Sequence, residues 1–240
     1  MARKIRCSPT QLKRELRRLA DPAVRDSQQR FSKEPLRTIG VLTPDVRRLA
    51  AAAAREYRQA RLGFDEILTI VDVLWRGGLL EERSLALILL SKFKRHLERR
   101  HWRHFDAYVD SLSNWADTDG LCGCVLAPLL ENEPRLVTQL KNWTRSRNRW
   151  RRRAAAVALV PAARRGRHHD LAYTICDRLA ADRDDLVEKA VGWLLKEMSR
   201  THPQSVADYL LTNKKVFSRT TIRYAAEKLP AKLRTRVLTA

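Results

Sequence analysis

The sequence of 240 residues predicts an all-α fold made of stacked helical hairpins. Glycine and proline are sparse, at 8 and 9 residues, and apolar residues recur with the 3.6-residue period of a helix. Helix starts are also legible. Ser8 before Pro9 and Thr43 before Pro44 each match an N-cap residue followed by proline in the first helical turn.

The predicted helices follow one another with short connections, and each has about 10–17 residues. Roughly, they cover 8–20, 22–33, 43–57, 64–76, 80–95, 101–112, 119–131, 133–143, 148–164, 168–181, 184–200, 203–212, 218–228 and 230–238. Pairs of helices therefore repeat about every 35–40 residues, near the range of HEAT and armadillo repeats. We predict one domain over residues 1–240, a HEAT/armadillo-like solenoid with a concave basic face. A compact helical bundle is the competing arrangement.

The charge of the chain indicates a polyanionic partner. Lys and Arg number 48 against 27 Asp and Glu, so the formal net charge is +21. Nucleic acid is the simplest partner for such a chain. Most of the excess is arginine, which suits bidentate contacts with phosphate. A membrane surface is disfavoured because the basic residues are spread along the chain and do not gather on one amphipathic helix.

The sequence shows no metal site, cofactor motif or membrane segment. The four cysteines, Cys7, Cys122, Cys124 and Cys176, lack the spacing of a zinc site. The N-terminal residues have no apolar core of a secretory signal, and the longest strongly apolar run, residues 85–90, is too short to span a bilayer. We expect a soluble cytoplasmic protein, in the bacterial cytoplasm or nucleoid, with its thiols reduced.

An acidic segment interrupts the basic chain. No Lys or Arg lies between Arg103 and Arg135, whereas six acidic residues do: Asp106, Asp110, Asp117, Asp119, Glu131 and Glu133. Either this segment is a buried helix pair or it forms an acidic area in a positive surface. Within it, Trp115 and Asp119 are four residues apart and would share one helix face. Asp119 either caps the apolar helix that follows it or belongs to a site.

A basic segment follows the acidic one. Six arginines occupy nine positions from Arg145 to Arg153, directly before an alanine-rich helix. Trp150 and the alanines one turn later should face the core, with Arg153 at the border of that stripe and Arg151 and Arg152 outward. Cations at a helix N-terminus oppose the helix dipole, so a bound anion would relieve the conflict. We therefore favour phosphate binding here over a merely solvated helix start.

Gly192 stands beside Trp193 in the interior of a predicted helix. Glycine there costs about 1 kcal/mol relative to alanine. Tight helix packing or the close approach of a partner must offset that cost, and packing is the more usual cause.

Several motifs resemble, in order and spacing, those of the AlkD-type DNA alkylation repair glycosylases, which are built of HEAT-like repeats. The similarity covers about residues 25–235. It rests on Gly40, Val41, Pro44 and Arg47; Leu74 and Trp75; Trp115 and Asp119; Trp150, Arg153, Ala154 and Ala155; and Lys189, Ala190, Gly192 and Trp193. No one of these motifs is specific, but their order is.

The resemblance implies roles for particular residues. Asp119 matches the catalytic carboxylate, Trp115 and Trp193 match tryptophans that flank the deoxyribose of the lesion, and Arg153 matches an arginine that holds the DNA backbone. The predicted DNA-binding set is completed by Arg47, Arg149, Arg151 and Arg152. The implied enzyme is a monomer that acts on double-stranded DNA without metal or cofactor.

The implied reaction is hydrolysis of the N-glycosidic bond of cationic purines, N3-alkyladenine and N7-alkylguanine, for base excision repair. Such a base leaves as a neutral molecule and needs no general acid, so one carboxylate and two indole faces suffice. Two other classes stay open at this point: a non-catalytic HEAT-like module that binds DNA or RNA, and a scaffold for acidic proteins.

Overall fold

The structure, a computed structural model, describes residues 6–239. All regular elements in this range are helical and none is a strand, which confirms the predicted all-α class. None of the helices in this range has the length and apolar character that crossing a bilayer requires. The chain divides into two compact units, residues 1–97 and 98–240. The prediction of one domain over the whole chain stays a prediction.

The described part of the first unit, residues 6–97, contains five α-helices and a short 3₁₀ turn. They are α1 (Pro9–Arg18), α2 (Pro22–Arg30), α3 (Thr43–Gln59), α4 (Phe64–Gly77), α5 (Leu80–Ser91) and the 3₁₀ turn Lys94–His96. Ser8 caps α1 as predicted, its hydroxyl accepting from the Gln11 amide at 3.3 Å. Helix α3 begins at Thr43 itself, with Leu42 as the N-cap residue, so the predicted Thr43 cap is wrong by one position.

A buried carboxylate fixes the loop before α3. Glu81 is 2% exposed, and its Oε1 accepts from the amides of Gly40 at 2.9 Å and Val41 at 3.1 Å. Gly40 has φ +81°, and a Cβ there would collide with the carbonyl of Asp21. The loop therefore needs glycine for two reasons, its backbone conformation and the lack of space.

The second unit is built from eleven α-helices in the described part of the chain. They are α6 (Trp102–Asp110), α7 (Trp115–Leu121), α8 (Ala127–Asn132), α9 (Leu140–Trp143), α10 (Arg149–Val157), α11 (Val160–Arg164), α12 (His169–Leu179), α13 (Asp185–Met198), α14 (Pro203–Thr212), α15 (Arg219–Ala225) and α16 (Ala231–Thr239). Short 3₁₀ segments cover Arg99–His101, Pro134–Gln139 and Ala226–Lys228, and Cys122–Leu126 is a π-helical segment.

Three predicted helices in this unit differ from the structure. The one expected at 133–143 is a 3₁₀ segment, Pro134–Gln139, followed by the four-residue α9, Leu140–Trp143. The helix expected at 119–131 begins earlier, at Trp115, because Asn114 caps it. The helix expected at 148–164 is divided into α10 and α11. Pro161 lies in the first turn of α11, where its missing N–H is tolerated, whereas one continuous helix would need that donor.

Helix α10 lies at the centre of the second unit. It packs against α6, α7, α9, α12 and α13. Its predicted core stripe is confirmed, since Trp150 is 8% exposed and Ala154, Val157 and Ala158 are buried. The alanines leave room for several helices to approach one axis, which is how so short a helix contacts so many neighbours.

Helices α13 and α15 approach each other closely at Gly192. A Cβ on Gly192 would lie 2.5 Å from the Cβ of Tyr224 and 2.9 Å from the carbonyl oxygen of Thr221. The cost of a helical glycine is thus offset by close packing of α15, the more usual of the two causes expected from the sequence.

We predict that Gly192→Ala lowers the free energy of unfolding by about 1–3 kcal/mol, because overpacking outweighs the gain in helix propensity. The matched control is Gly123→Ala, where an added Cβ meets nothing within 4 Å. Urea denaturation followed by circular dichroism measures both variants. An unchanged or raised stability for Gly192→Ala would contradict the packing argument.

Candidate active site

Helix α7 presents Trp115 and Asp119 on one face. The helix begins at Trp115, and the side chain of Asn114 accepts from the Asp117 amide at 2.8 Å. Asp119 therefore lies inside the helix, and its interpretation as an N-cap is wrong. The indole of Trp115 is 37% exposed and the Asp119 side chain is 21% exposed. An aromatic face and a carboxylate are thus both accessible, four residues apart on one helix.

Arg153 binds both oxygens of Asp119. Its Nε donates to Oδ1 at 3.0 Å and its Nη2 donates to Oδ2 at 2.9 Å. Its Nη1 donates to the carbonyl oxygen of Leu186 at 2.6 Å. The Arg153 side chain is only 7% exposed. One buried guanidinium thus connects α7, α10 and the first turn of α13, and it holds the Asp119 carboxylate in a bidentate geometry.

The environment of Asp119 acts on its pKa in two opposing ways. Burial raises the pKa of Asp119 above its ordinary value, while the charge and hydrogen bonds of Arg153 lower it, and burial outweighs them. The nearby thiol of Cys122 is fully buried, and burial together with the Asp119 carboxylate raises its pKa well above the ordinary value. Cys122 therefore stays neutral and is a poor candidate for a nucleophile.

The other carboxylate of α7 points into the protein. Asp117 is 2% exposed, and its Oδ2 accepts from the Asn114 amide group at 2.8 Å. This local pairing stabilises the start of the helix. It also leaves Asp119 as the accessible carboxylate of α7.

A π-helical segment follows Asp119 directly. Within Cys122–Leu126 the helix widens, and the amide of Ala127 donates to the carbonyl of Cys122 five residues earlier. Pro128 follows and has no N–H to donate, so the carbonyl of Cys124 lacks the bond that a regular α-helix would give it. Such segments occur frequently at functional sites.

The arginines of α10 are paired with aspartates. Arg151 donates to Asp106 at 2.6 Å and to Asp110 at 2.7 Å, and Arg152 donates to Asp182 at 2.6 Å. The expectation that Arg151 and Arg152 look outward is wrong, since their side chains are 14% and 20% exposed. The anions that relieve the unfavourable helix dipole are carboxylates of the protein itself.

The first arginine of α10 is paired as well. Arg149 donates to Asp184 at 3.3 Å and its guanidinium lies over the Trp150 ring at 4.6 Å. Asp184 also caps α13 by accepting from the Leu186 amide at 3.0 Å. Asp106, Asp110 and Asp119 of the acidic segment thus help to neutralise the arginines of the basic segment. The sequence shows the two segments but does not show that they pair. A DNA-binding role for Arg149, Arg151 and Arg152 stays a prediction.

Trp193 lies on α13 and is half-buried. It is seven residues after Leu186, so the two share a helix face and are about 10 Å apart along the axis. Arg153 contacts the first turn of the same helix through the Leu186 carbonyl. Arg47 lies in the first unit, exposed on α3. Within residues 6–239, no three His, Cys, Asp or Glu side chains are placed to hold a metal ion.

We predict that the Asp119 carboxyl titrates above the value of about 3.9 of an ordinary aspartate, because burial outweighs the ion pair. Arg153→Gln removes the positive charge, so it should move the midpoint to higher pH. Carboxyl ¹³C NMR of both proteins, assigned with Asp119→Asn, measures the two midpoints. A midpoint below the ordinary value, or one that falls in Arg153→Gln, would be inconsistent with this balance.

Comparison with known proteins agrees with this architecture. The family model described as "DNA alkylation repair enzyme" matches residues 12–229. No curated protein matches the chain in sequence. Among solved structures, a predicted DNA alkylation repair enzyme from Enterococcus faecalis is similar with a TM-score of 0.78 and 17% identity, over 88% of this chain and 97% of that chain.

Two structures from Streptococcus mutans are similar as well. AlkD2 has a TM-score of 0.60 and 18% identity, over 92% of this chain and 100% of that chain. The protein smu.31 of strain UA159 has a TM-score of 0.55 and 17% identity, over 77% and 100%. These likenesses confirm the predicted AlkD-like helical-repeat fold. Since the family model covers most of its length, the chain belongs to the DNA alkylation repair enzyme family, whose role is the repair of alkylated DNA.

Proposed function

We propose that the protein is a DNA glycosylase that hydrolyses the N-glycosidic bond of cationic alkylated purines in duplex DNA. N3-alkyladenine and N7-alkylguanine are the substrates, and the reaction begins base excision repair. The observation that supports this most is the Asp119 carboxylate, held through both oxygens by Arg153 and sharing a helix face with the half-exposed Trp115.

The charge of the substrate determines which catalytic groups are needed. A purine alkylated at N3 or N7 carries a positive charge, and cleavage of its glycosidic bond releases it neutral. Protonation of the leaving group, the task of the acid in a glycosidase carboxylate pair, is then unnecessary. A single accessible carboxylate on α7 is consistent with such substrates, because the other, Asp117, is held in the interior.

Asp119 stabilises the positive charge that develops on the sugar and positions the attacking water. A carboxylate has about four lone-pair sites, and Arg153 occupies two of them. The remaining sites are open to a water molecule while the ion pair is kept. Arg153 thereby fixes the direction of the carboxylate before DNA arrives, which lowers the cost of reorganisation during the reaction.

The indole of Trp115 and that of Trp193 are the proposed walls around the sugar. Their π faces favour a cation by about 0.5–2 kcal/mol each. Both side chains are partly exposed, so each has surface left for a ligand.

Arg153 has a second proposed role as a phosphate ligand. Three of its N–H groups bind Asp119 and Leu186, and a guanidinium has five. The two other N–H groups are the donors proposed for a backbone oxygen, which would have to approach through the 7% of the side chain that is exposed. Arg47, exposed on α3, and Arg149, 35% exposed, are further proposed contacts. Arg151 already holds Asp106 and Asp110, and Arg152 holds Asp182, so neither is proposed as a direct contact with the DNA backbone.

Asp119→Asn should abolish most of the excision of N7-methylguanine, with a rate loss on the order of 10²–10³, because the negative charge opposite the sugar is lost. It should also cost about 1–3 kcal/mol of stability, because asparagine leaves a donor of the buried Arg153 unpaired. Single-turnover release of the base, at a temperature where the variant is folded, measures the rate.

Asp182→Asn is the matched control. It weakens the neighbouring pair with Arg152 on the same helix, so it should cost similar stability and leave the rate unchanged. Equal rate losses in the two variants would reduce Asp119 to a structural role. A wild-type protein that binds alkylated duplex and forms no abasic site would instead indicate a non-catalytic binding module.

A further inference from the structure

A cavity of about 550 Å³ lies at the C-terminal helices, and none of the residues assigned to the reaction lines it. It is formed by the segment between α14 and α15, by α15 and by α16. Phe217, Ile222 and Leu238 give it an apolar wall. Phe217 and Ile222 are buried and Leu238 is 42% exposed, so Leu238 supplies most of the apolar surface that a ligand can reach. Its volume falls within the range of roughly 300–1,000 Å³ of sites that enclose a ligand group.

Three cations surround this apolar wall: Lys214, Arg219 and Arg223. Among the residues that the structure describes, no carboxylate lines the cavity. Residues 213–238 contain eight Lys or Arg and one acidic residue, Glu227, and Glu227 is paired with Lys196 at 3.1 Å. The cavity thus has an excess of positive charge that local carboxylates do not neutralise.

These cations differ from the arginines of α10. Each arginine from 151 to 153 holds an aspartate of the protein and is mostly buried. Arg219 and Arg223 are exposed, and neither has an ion-pair partner within residues 6–239. Unpaired cations beside an apolar wall are complementary to a ligand that carries both carboxylates and an apolar group.

We propose that this cavity binds an acidic segment of a partner protein through an apolar anchor residue. The anchor enters the apolar wall, and the flanking carboxylates pair with Arg219, Arg223 and Lys214. This site goes beyond the proposed glycosylase reaction and does not depend on it. Through this cavity, a partner protein would bind the enzyme while α7 and α13 face DNA.

Duplex DNA is the competing occupant, because Arg223 also lines a neighbouring cleft that contains Lys189 and Tyr224. The sugar–phosphate backbone offers phosphates and the small C–H faces of deoxyribose, but no aliphatic or aromatic side chain to cover the wall formed by Phe217, Ile222 and Leu238. The neighbouring cleft differs, since Asp185 and Glu227 are part of its lining. The peptide is therefore the better match for the 550 Å³ cavity.

The test uses a fluorescein-labelled hexapeptide of four aspartates followed by leucine and phenylalanine, with anisotropy as the readout. A second peptide carries two alanines in place of the anchor. We expect the anchored peptide to bind about tenfold more tightly at equal salt. Arg219→Glu should weaken it by about tenfold, and Leu238→Asp should remove the difference between the two peptides.

Arg103→Glu is the matched control, because Arg103 is an exposed arginine of the same unit on α6. It should change the affinity by less than about twofold. Equal affinities for the two peptides in the wild-type protein would overturn the proposal, as would an equal loss in Arg103→Glu. The proposal also fails if undamaged duplex displaces the peptide and loses as much affinity in Arg219→Glu. Circular dichroism checks that each variant is folded.

Discussion

The pairing of the α10 arginines with aspartates is the interaction on which the second unit depends. Arg149, Arg151, Arg152 and Arg153 begin a helix that packs against five others. Such a start is unfavourable in isolation, because like charges lie close together at the positive end of a helix dipole. Aspartates of α6 and α7 and of the segment before α13 reverse this. The same pairs that neutralise α10 also fix its neighbours around it.

The pair of Arg153 and Asp119 also belongs to the proposed active site. The Asp119 carboxylate is buried enough for its pKa to be raised, yet 21% of the side chain is exposed. Arg153 opposes that rise and fixes the direction of both oxygens. Stability and the proposed chemistry therefore rest on the same contact. This is why a variant of Asp119 must be compared with a variant of another aspartate that holds α10 and has no proposed part in the reaction.

The sequence was most informative where the cause is local. The apolar period predicted the helices, the face shared by Trp115 and Asp119, and the buried stripe of α10. The N-cap of α7 is also local but was assigned to the wrong residue. Asn114, with Asp117 three residues later, is the pattern that predicts the cap. Asp119 also fits an N-cap position in the sequence, because an apolar run follows it.

The partners of the arginines could not be predicted, because each pair joins α10 to a residue about 30–45 positions away, in another helix or in the segment before α13, and depends on tertiary packing. The acidic and basic segments were both visible in the sequence. Nothing in the sequence pairs one segment with the other, so an external phosphate is the anion that the sequence predicts for α10. Gly192 could be predicted in part. The sequence indicates that another element approaches the helix closely there, and the structure identifies that element as α15.

The most direct test of the proposed chemistry compares two duplexes that are identical except for one base, N7-methylguanine or uracil. Both are incubated with excess enzyme, and the released base is measured under single-turnover conditions. A carboxylate that acts without an acid releases the cationic purine and leaves the neutral uracil at the background rate. Release of uracil at a comparable rate would contradict the account, because it would require an acid that neither Asp119 nor its neighbours on α7 supply.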